Sequence, residues 1–316
     1  MNPSPRHPAQ KSASVVLLIG ILAVSTASLF IRFAQQDAPS IVIAAYRLTL
    51  ATVFLLPFAL PRFSGEVIRA LKKKDVFLII LSGTFLAIHF ASWITSLEHT
   101  TVASSVVLVT TTPLWVAMFS GFILKESIPK WTWLGLGLAM IGGIVVGLSS
   151  QCGFWDGGFQ CQDLGGFFSS KNLLGNFLAL LGAWMAAGYL ISGRKVRPRF
   201  PLQVYVFLIY GVASILLLAM VGFRGYSLTG YAPQTYVWFV LLAIIPQLIG
   251  HTVLNWALGY LPATFVSVAL LGEPVGTVIL SYLFLREAPT FLELAGGILI
   301  LTGIYISSRM DAGKME

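Results

Sequence analysis

Apolar stretches of about 20 residues recur along almost the whole chain, separated by short polar interruptions. At 1.5 Å of rise per residue, a helix of that length crosses the ~30 Å hydrocarbon layer of a bilayer. Spans are predicted near 14–33, 40–60, 76–97, 101–123 and 130–149. After a polar, glycine-rich interval, five more are predicted near 173–193, 202–222, 235–258, 262–285 and 290–308. The expected fold is an all-α integral membrane protein of ten transmembrane helices. The composition agrees, since 57% of the 316 residues are hydrophobic and only 10% are charged. A soluble domain carries roughly 25% charged residues, so this chain lacks the charge to coat a water-facing surface.

A net charge of +8 would suit a nucleic-acid partner, but the basic residues sit in short clusters between apolar runs. That is where the positive-inside rule places them. With the N-terminus inside, the inner segments hold Arg6, Lys11, Arg62, Arg69, Lys72, Lys73, Lys74, Lys125, Lys130, Arg194, Lys195, Arg197, Arg199, Arg309 and Lys314, fifteen in all. The outer segments hold four, Arg32, Lys171, Arg224 and Arg286. Both termini are therefore expected in the cytoplasm, with the chain in a plasma membrane (the inner membrane of a bacterium). The run from Ser14 to Phe33 is long for a cleaved signal peptide and has a counterpart later in the chain, so it reads as a retained helix.

Self-similarity is the second constraint. A shift of 161 residues lays Pro113 on Pro274, Ser120 on Ser281 and Lys125-Glu126 on Arg286-Glu287; it also lays Gly135 on Gly296 and Gly142 on Gly303. A shift of 162 lays Gly20 on Gly182 and Arg32 on Arg194. Five spans per half is an odd number, so the second half starts on the opposite side, and the repeat is inverted. The predicted division is 14–149, an outer loop 150–172, and 173–308. Inverted repeats are characteristic of carriers, because the halves can exchange roles in alternating access.

The duplicated segments carry a resemblance. Pro113-Leu-Trp-Val-Ala, Leu124-Lys125-Glu126, Gly135 and Gly142 look like the end of an EamA domain. Glu273-Pro274-Val275, Leu285-Arg286-Glu287, Gly296 and Gly303 resemble the end of a second. Over nearly the whole chain this is similar to the ten-helix branch of the drug/metabolite transporter superfamily. The resemblance implies export or import of amino acids or other small metabolites. The first half departs from the second in having Thr112-Pro113 where Glu273-Pro274 stands.

Charged side chains inside a bilayer cost about 2.5–3.5 kcal/mol on insertion scales, so each needs a reason. Arg47, seven residues after Ser40, either neutralises a substrate carboxylate or pairs with an acid on a neighbouring helix. Glu273, eleven residues after Pro262, reads as a proton-coupling site, a substrate ligand or a packing residue beside a kink at Pro274. Pro113 is the matching kink. His89, Trp93 and Ser96 share one face of the third span, and Gln247, His251 and Asn255 share one face of the eighth. Two such stripes on related helices are expected to line one central cavity; a lone histidine would more often be a packing residue. Thr110, Thr111 and Thr112 either bond their own helix or face that cavity. Trp184 and Tyr189 on the sixth span, and Ser25, Thr26 and Ser28 on the first, are further candidates. The glycines at 135, 137, 142, 143, 296, 297 and 303 suit close packing of the fifth and tenth spans, with a homodimer contact as the open alternative.

Cys152 and Cys161 share the outer loop, where they form a disulfide or remain free thiols. No metal or other cofactor is expected, the loop having no His and only Asp156 and Asp163 as further ligands. An enzyme is disfavoured because no H-E-x-x-H appears and no Cys lies in a span. A nucleotide-driven pump is disfavoured by the absence of G-x-x-x-x-G-K-[ST]. A sensor is disfavoured because no cytoplasmic segment exceeds about fifteen residues. The expected partners are a small-molecule substrate and the lipid bilayer. Within transport the alternative is a drug or amphiphile exporter, favoured by Trp93, Trp184 and Trp256.

Overall fold

The structure is a computed structural model describing residues 9–100, 105, 108–125, 128–148, 152–155, 158–161, 170–285 and 290–312. Arg6, Glu126, Arg286-Glu287, Lys314 and part of the 150–172 loop lie outside the described residues. The elements in order are α1 (Ala9–Ser25), α2 (Ala27–Ala34), α3 (Ser40–Ala59), α4 (Gly65–Ala70), α5 (Lys73–His99), α6 (Thr112–Ile123) and α7 (Lys130–Leu148). A hairpin of β1 (Cys152–Trp155) and β2 (Gly158–Cys161) follows. Then come α8 (Ser170–Val196), α9 (Leu202–Phe223), α10 (Pro233–Leu242), a π-helical segment (Ala243–His251) and α11 (Thr252–Ala257). The last elements are α12 (Ala263–Ala269), α13 (Gly272–Leu285) and α14 (Phe291–Ala312).

Six of the described helices are long and apolar enough to cross a bilayer: Val16–Ala34, Ser40–Arg62, Lys73–His99, Leu173–Arg199, Leu202–Phe223 and Pro233–Ala257. Four shorter apolar helices accompany them, at Thr112–Ile123, Lys130–Val145, Ala263–Thr277 and Leu294–Ile306. The outward faces are greasy: Phe223, Phe122 and Ile215 are 92%, 84% and 69% exposed. In water such a surface would drive aggregation; against lipid tails it carries no such penalty. The chain is a multi-pass membrane protein.

Three local features refine the sequence reading. The fold is all-α apart from one loop hairpin, in which Cys152–Trp155 pairs antiparallel with Gly158–Cys161, and Cys152 and Cys161 form the disulfide, one of the two expectations. The kinks expected at Pro113 and Pro274 are complete breaks, with turns at Thr110-Thr111 and Leu270-Leu271. Each proline then sits in the first turn of the next helix, where a missing N–H leaves nothing unsatisfied. The span predicted at 235–258 contains π-helix around Pro246. Proline cannot supply an amide hydrogen and crowds the carbonyl four residues back, and the wider π turn relieves both.

The helices pack in defined pairs. α5 runs against α8, α7 against α14, and α3 against α9; α9 also packs on α5. α1 lies against the π segment, α11 and α13; α3 also touches the π segment, and α6 packs on α8 and α12. Small residues set several crossings. A methyl at Gly142 would sit 2.6 Å from the Gly296 carbonyl oxygen, and one at Gly303 would sit 2.4 Å from that of Gly135. These glycines are accounted for where α7 meets α14 within one chain. Gly20 and Gly250 likewise bring α1 onto the π segment, beside Val253 and Val24.

Candidate functional site

A cavity of about 80 Å³ lies where α1, α3, α5, α6, α8, the π segment, α11 and the α12–α13 break converge. Its walls include Arg47, His89, Trp93, Thr110, Thr112, Pro113, Tyr189, His251, Ser267 and Glu273. Val24, Ala27, Val109, Leu190, Leu254, Leu270 and Leu271 supply the apolar remainder. The His89 face and the His251 face therefore do meet, at the two helix breaks.

Arg47 is 1% exposed. Its Nε donates to Gln247 Oε1 at 2.8 Å, and its guanidinium carbon lies 4.1 Å from the centre of the Phe90 ring. The ring face offers a cation partial compensation for lost water. Nη1 of Arg47 and Nε2 of Gln247 have no hydrogen-bond partner. Nη1, an unmatched cationic donor on a residue of the cavity wall, suits an anionic acceptor. Glu273, half-buried on another wall, sits in the first turn of α13, where the helix dipole favours a carboxylate. Ser25 Oγ and Thr277 Oγ1 each donate at 3.0 Å to the backbone oxygen of Glu273, fastening the break to α1.

His89 Nδ1 lies 2.9 Å from the Gly182 carbonyl oxygen. A carbonyl only accepts, so Nδ1 carries the hydrogen and Nε2 is the acceptor of the neutral ring. The ring stacks parallel to Trp93, with centroids 5.9 Å apart. His251 stands edge-on to Phe90 at 5.2 Å and is 6.4 Å from the Tyr189 ring. His251 Nδ1, Tyr189 OH and Trp93 Nε1 are buried without partners. Buried polar atoms left open in this way mark a place that water or a polar solute fills.

Other expected site residues turn away from the cavity. Ser96 Oγ donates to the Trp93 carbonyl at 2.6 Å and lies 2.7 Å from Ser105 Oγ. Thr111 bonds the Leu108 carbonyl at 2.6 Å and accepts from Trp115 Nε1 at 3.1 Å. Trp184 packs edge-on to Trp115. Gln247 and Asn255 are fully buried behind the wall. Gln247 supports Arg47, and Asn255 Nδ2 donates to the His251 carbonyl at 2.8 Å and to Tyr210 OH at 3.4 Å. Pro274 forms the break beside the cavity without lining it. The π segment explains the split stripe: a wider turn moves i, i+4 and i+8 off a single face.

Phe90, Tyr210 and Ser267 were not legible as site residues. Phe90 is one aromatic among many in an apolar run, and Tyr210 and Ser267 carry single hydroxyls at no recognisable spacing. No group of three or more His, Cys, Asp or Glu able to hold a metal occurs among the described residues.

The model of the EamA-like transporter family matches residues 11–148 and again 173–309. The chain belongs to that family. This EamA-family chain is 22% identical over 295 residues to an uncharacterised transporter of Archaeoglobus fulgidus, covering 93% of this chain and 96% of the relative. It is 24% identical over 304 residues to the pseudopaline exporter of Pseudomonas aeruginosa, covering 96% and 98%. A crystal structure of 19% identity superposes with a TM-score of 0.75, covering 97% of this chain and 99% of that one, which speaks to the fold alone. The chain thus belongs to a transporter family of the drug/metabolite superfamily, and both of these relatives are named for transport.

Proposed function

We propose that the chain is a secondary carrier moving a small polar metabolite, an amino acid or related compound, by alternating access through the central cavity. The observation carrying this reading is the cavity's chemistry. Arg47 with its open donor and Glu273 place a cation and an acid on the walls of one mostly apolar chamber, which matches a zwitterion with an apolar body. His89, His251, Trp93 and Tyr189 supply polar edges and ring faces for the remainder.

Ten spans in two inverted repeats, 14–149 and 173–308, are part of the same reading. The helix pairs support it, because the packing is nearly unchanged when α1–α2 is exchanged with α8, α3 with α9, and α5 with 233–257. Thus α5 on α8 mirrors 233–257 on α1, and α6 on α8 mirrors α13 on α1. The matched breaks at Pro113 and Pro274, and the two matched family segments, support it too. The charge bias, fifteen against four, supports cytoplasmic termini.

The test is a thermal-shift screen of purified protein against amino acids and related metabolites. A ligand present at 100 times its Kd and bound only to the folded state adds about 2.7 kcal/mol of stability. Stabilisation by a zwitterion, lost in Arg47→Met, is the expected result. Stabilisation only by hydrophobic cations, with resistance conferred on expression, would instead favour the drug or amphiphile exporter.

A further inference from the structure

α5 and the 233–257 helix carry the two cavity histidines and touch at mid-depth, where Phe90 meets His251 at 5.2 Å. Arg47 stands on both, over Phe90 and bonded to Gln247. At each end the same two helices are tied together by one interhelical turn.

On one face the tie is the turn between α2 and α3. Gln35 Nε2 donates to the Ile94 carbonyl of α5 at 3.0 Å, and Ser40 N–H and Oγ donate to Glu98 Oε1 at 3.0 and 2.5 Å. Asp37 Oδ2 accepts from Ala232 N–H and Thr235 Oγ1, both at 2.8 Å, closing the start of α10. On the opposite, basic face the tie is the turn between α8 and α9. Arg194 Nη1 donates to the Leu258 carbonyl just past α11 at 2.9 Å, and Arg199 is ion-paired with Asp75 in the first turn of α5. Asp37 and Arg199 are 162 residues apart, the register of the repeat. The positions correspond while the chemistry is reversed: an acid reads a helix start on one face, and a base reads an acid at a helix start on the other.

We propose that these two turns are the gates of the cavity, and that they release in alternation while the Phe90–His251–Arg47 contact serves as the pivot. Two helices that touch at mid-depth can splay at one end only while the other end holds. The ties suit reversible use: Asp37 is exposed and Arg199 is 46% exposed, so water replaces their partners on opening, while Asp75, 1% exposed when paired, keeps the Lys72 N–H at the start of α5. The hydrogen bonds from Ala232 and Thr235 hold the Asp37 carboxyl below its usual range, which keeps that tie charged at neutral pH. The proposal rests on the carrier reading above.

The test uses spin labels at His99 and Val237 on one face, and at Val76 and Tyr260 on the basic face, in full-length protein with Cys152 and Cys161 replaced by Ser. Asp37→Asn combined with Thr235→Val lengthens the 99–237 distance, raising the open fraction about fivefold, and leaves 76–260 unchanged or shorter. Arg199→Gln does the reverse, and Arg199→Lys restores the native distances. If Arg199→Gln fails to fold, Arg194→Met gives the same reading, since it removes the other bond of that tie, to the Leu258 carbonyl, and opens the basic face alone. Lengthening at both faces, or at neither, overturns the proposal. Reciprocal distances in a protein that shows no flux of any solute would sink the carrier reading and leave the gates standing; flux without reciprocal distances would do the opposite.

Discussion

Gly303→Ala tests the packing of the bundle most sharply, because the matched substitution Gly137→Ala carries the same change in helix propensity. A methyl at Gly303 would lie 2.4 Å from the Gly135 carbonyl oxygen and 2.8 Å from Cβ of Ala139. Ordinary carbon–oxygen contacts are ~3.3–3.6 Å, so α7 and α14 must part by about 1 Å. A gap of that size forfeits a quarter to a half of the dispersion energy of the facing atoms. Overpacking of this kind costs about 1–3 kcal/mol, set against up to ~1 kcal/mol gained from replacing glycine in a helix. The net loss is about 1–2 kcal/mol, or ~2–8 °C at roughly 2–4 °C per kcal/mol. Gly137 has nothing within 4 Å of the same methyl position and should gain about 0.5–1 kcal/mol. Thermal unfolding of both purified variants, followed by tryptophan fluorescence, reads the difference. Equal shifts, or a less stable Gly137→Ala, would refute the packing argument.

The remaining predictions concern single groups. Asp37 has a depressed folded-state pKa, so its stabilisation is fully present above the unfolded value near ~3.9 and is lost as pH falls through the folded value. Asp37→Asn should therefore flatten the acid limb of stability against pH below about 4 and leave the limb above pH 6 alone. Thiol titration of denatured protein should find no free thiol before reduction and two afterwards, from Cys152 and Cys161. Glu273→Gln should remove the pH dependence of solute flux; an unchanged profile would show that Glu273 is not the coupling group. Arg47→Lys should weaken solute binding about tenfold, because an ammonium cannot hold Gln247 and lie flat on Phe90 at once.

The membrane architecture was legible because span length and apolarity are dictated by the bilayer, and the proline and glycine register survived in side chains with backbone consequences. Glycines 135, 142, 296 and 303 were readable for the same reason: only close approach explains them. The site was legible in part. Arg47, His89, Trp93, His251 and Glu273 stand out because polar groups inside an apolar run need a purpose, and they meet at one cavity. Gln247 and Asn255 have the same signature but serve behind the wall, since the π turn at Pro246 shifts their direction. Phe90 carries no such signature, its role coming from Arg47 forty-three positions earlier. The ties at Asp37 and Arg199 were invisible individually, as a charge in a loop ordinarily means only solvation.

Counterflow in proteoliposomes reads carrier transport of a zwitterion through the cavity. Vesicles preloaded with one unlabelled member of an amino-acid panel are diluted into the same labelled compound. Transient accumulation is expected for at least one zwitterion, abolished in Arg47→Met. No counterflow across the panel, by protein that is folded and inserted, would contradict the carrier reading.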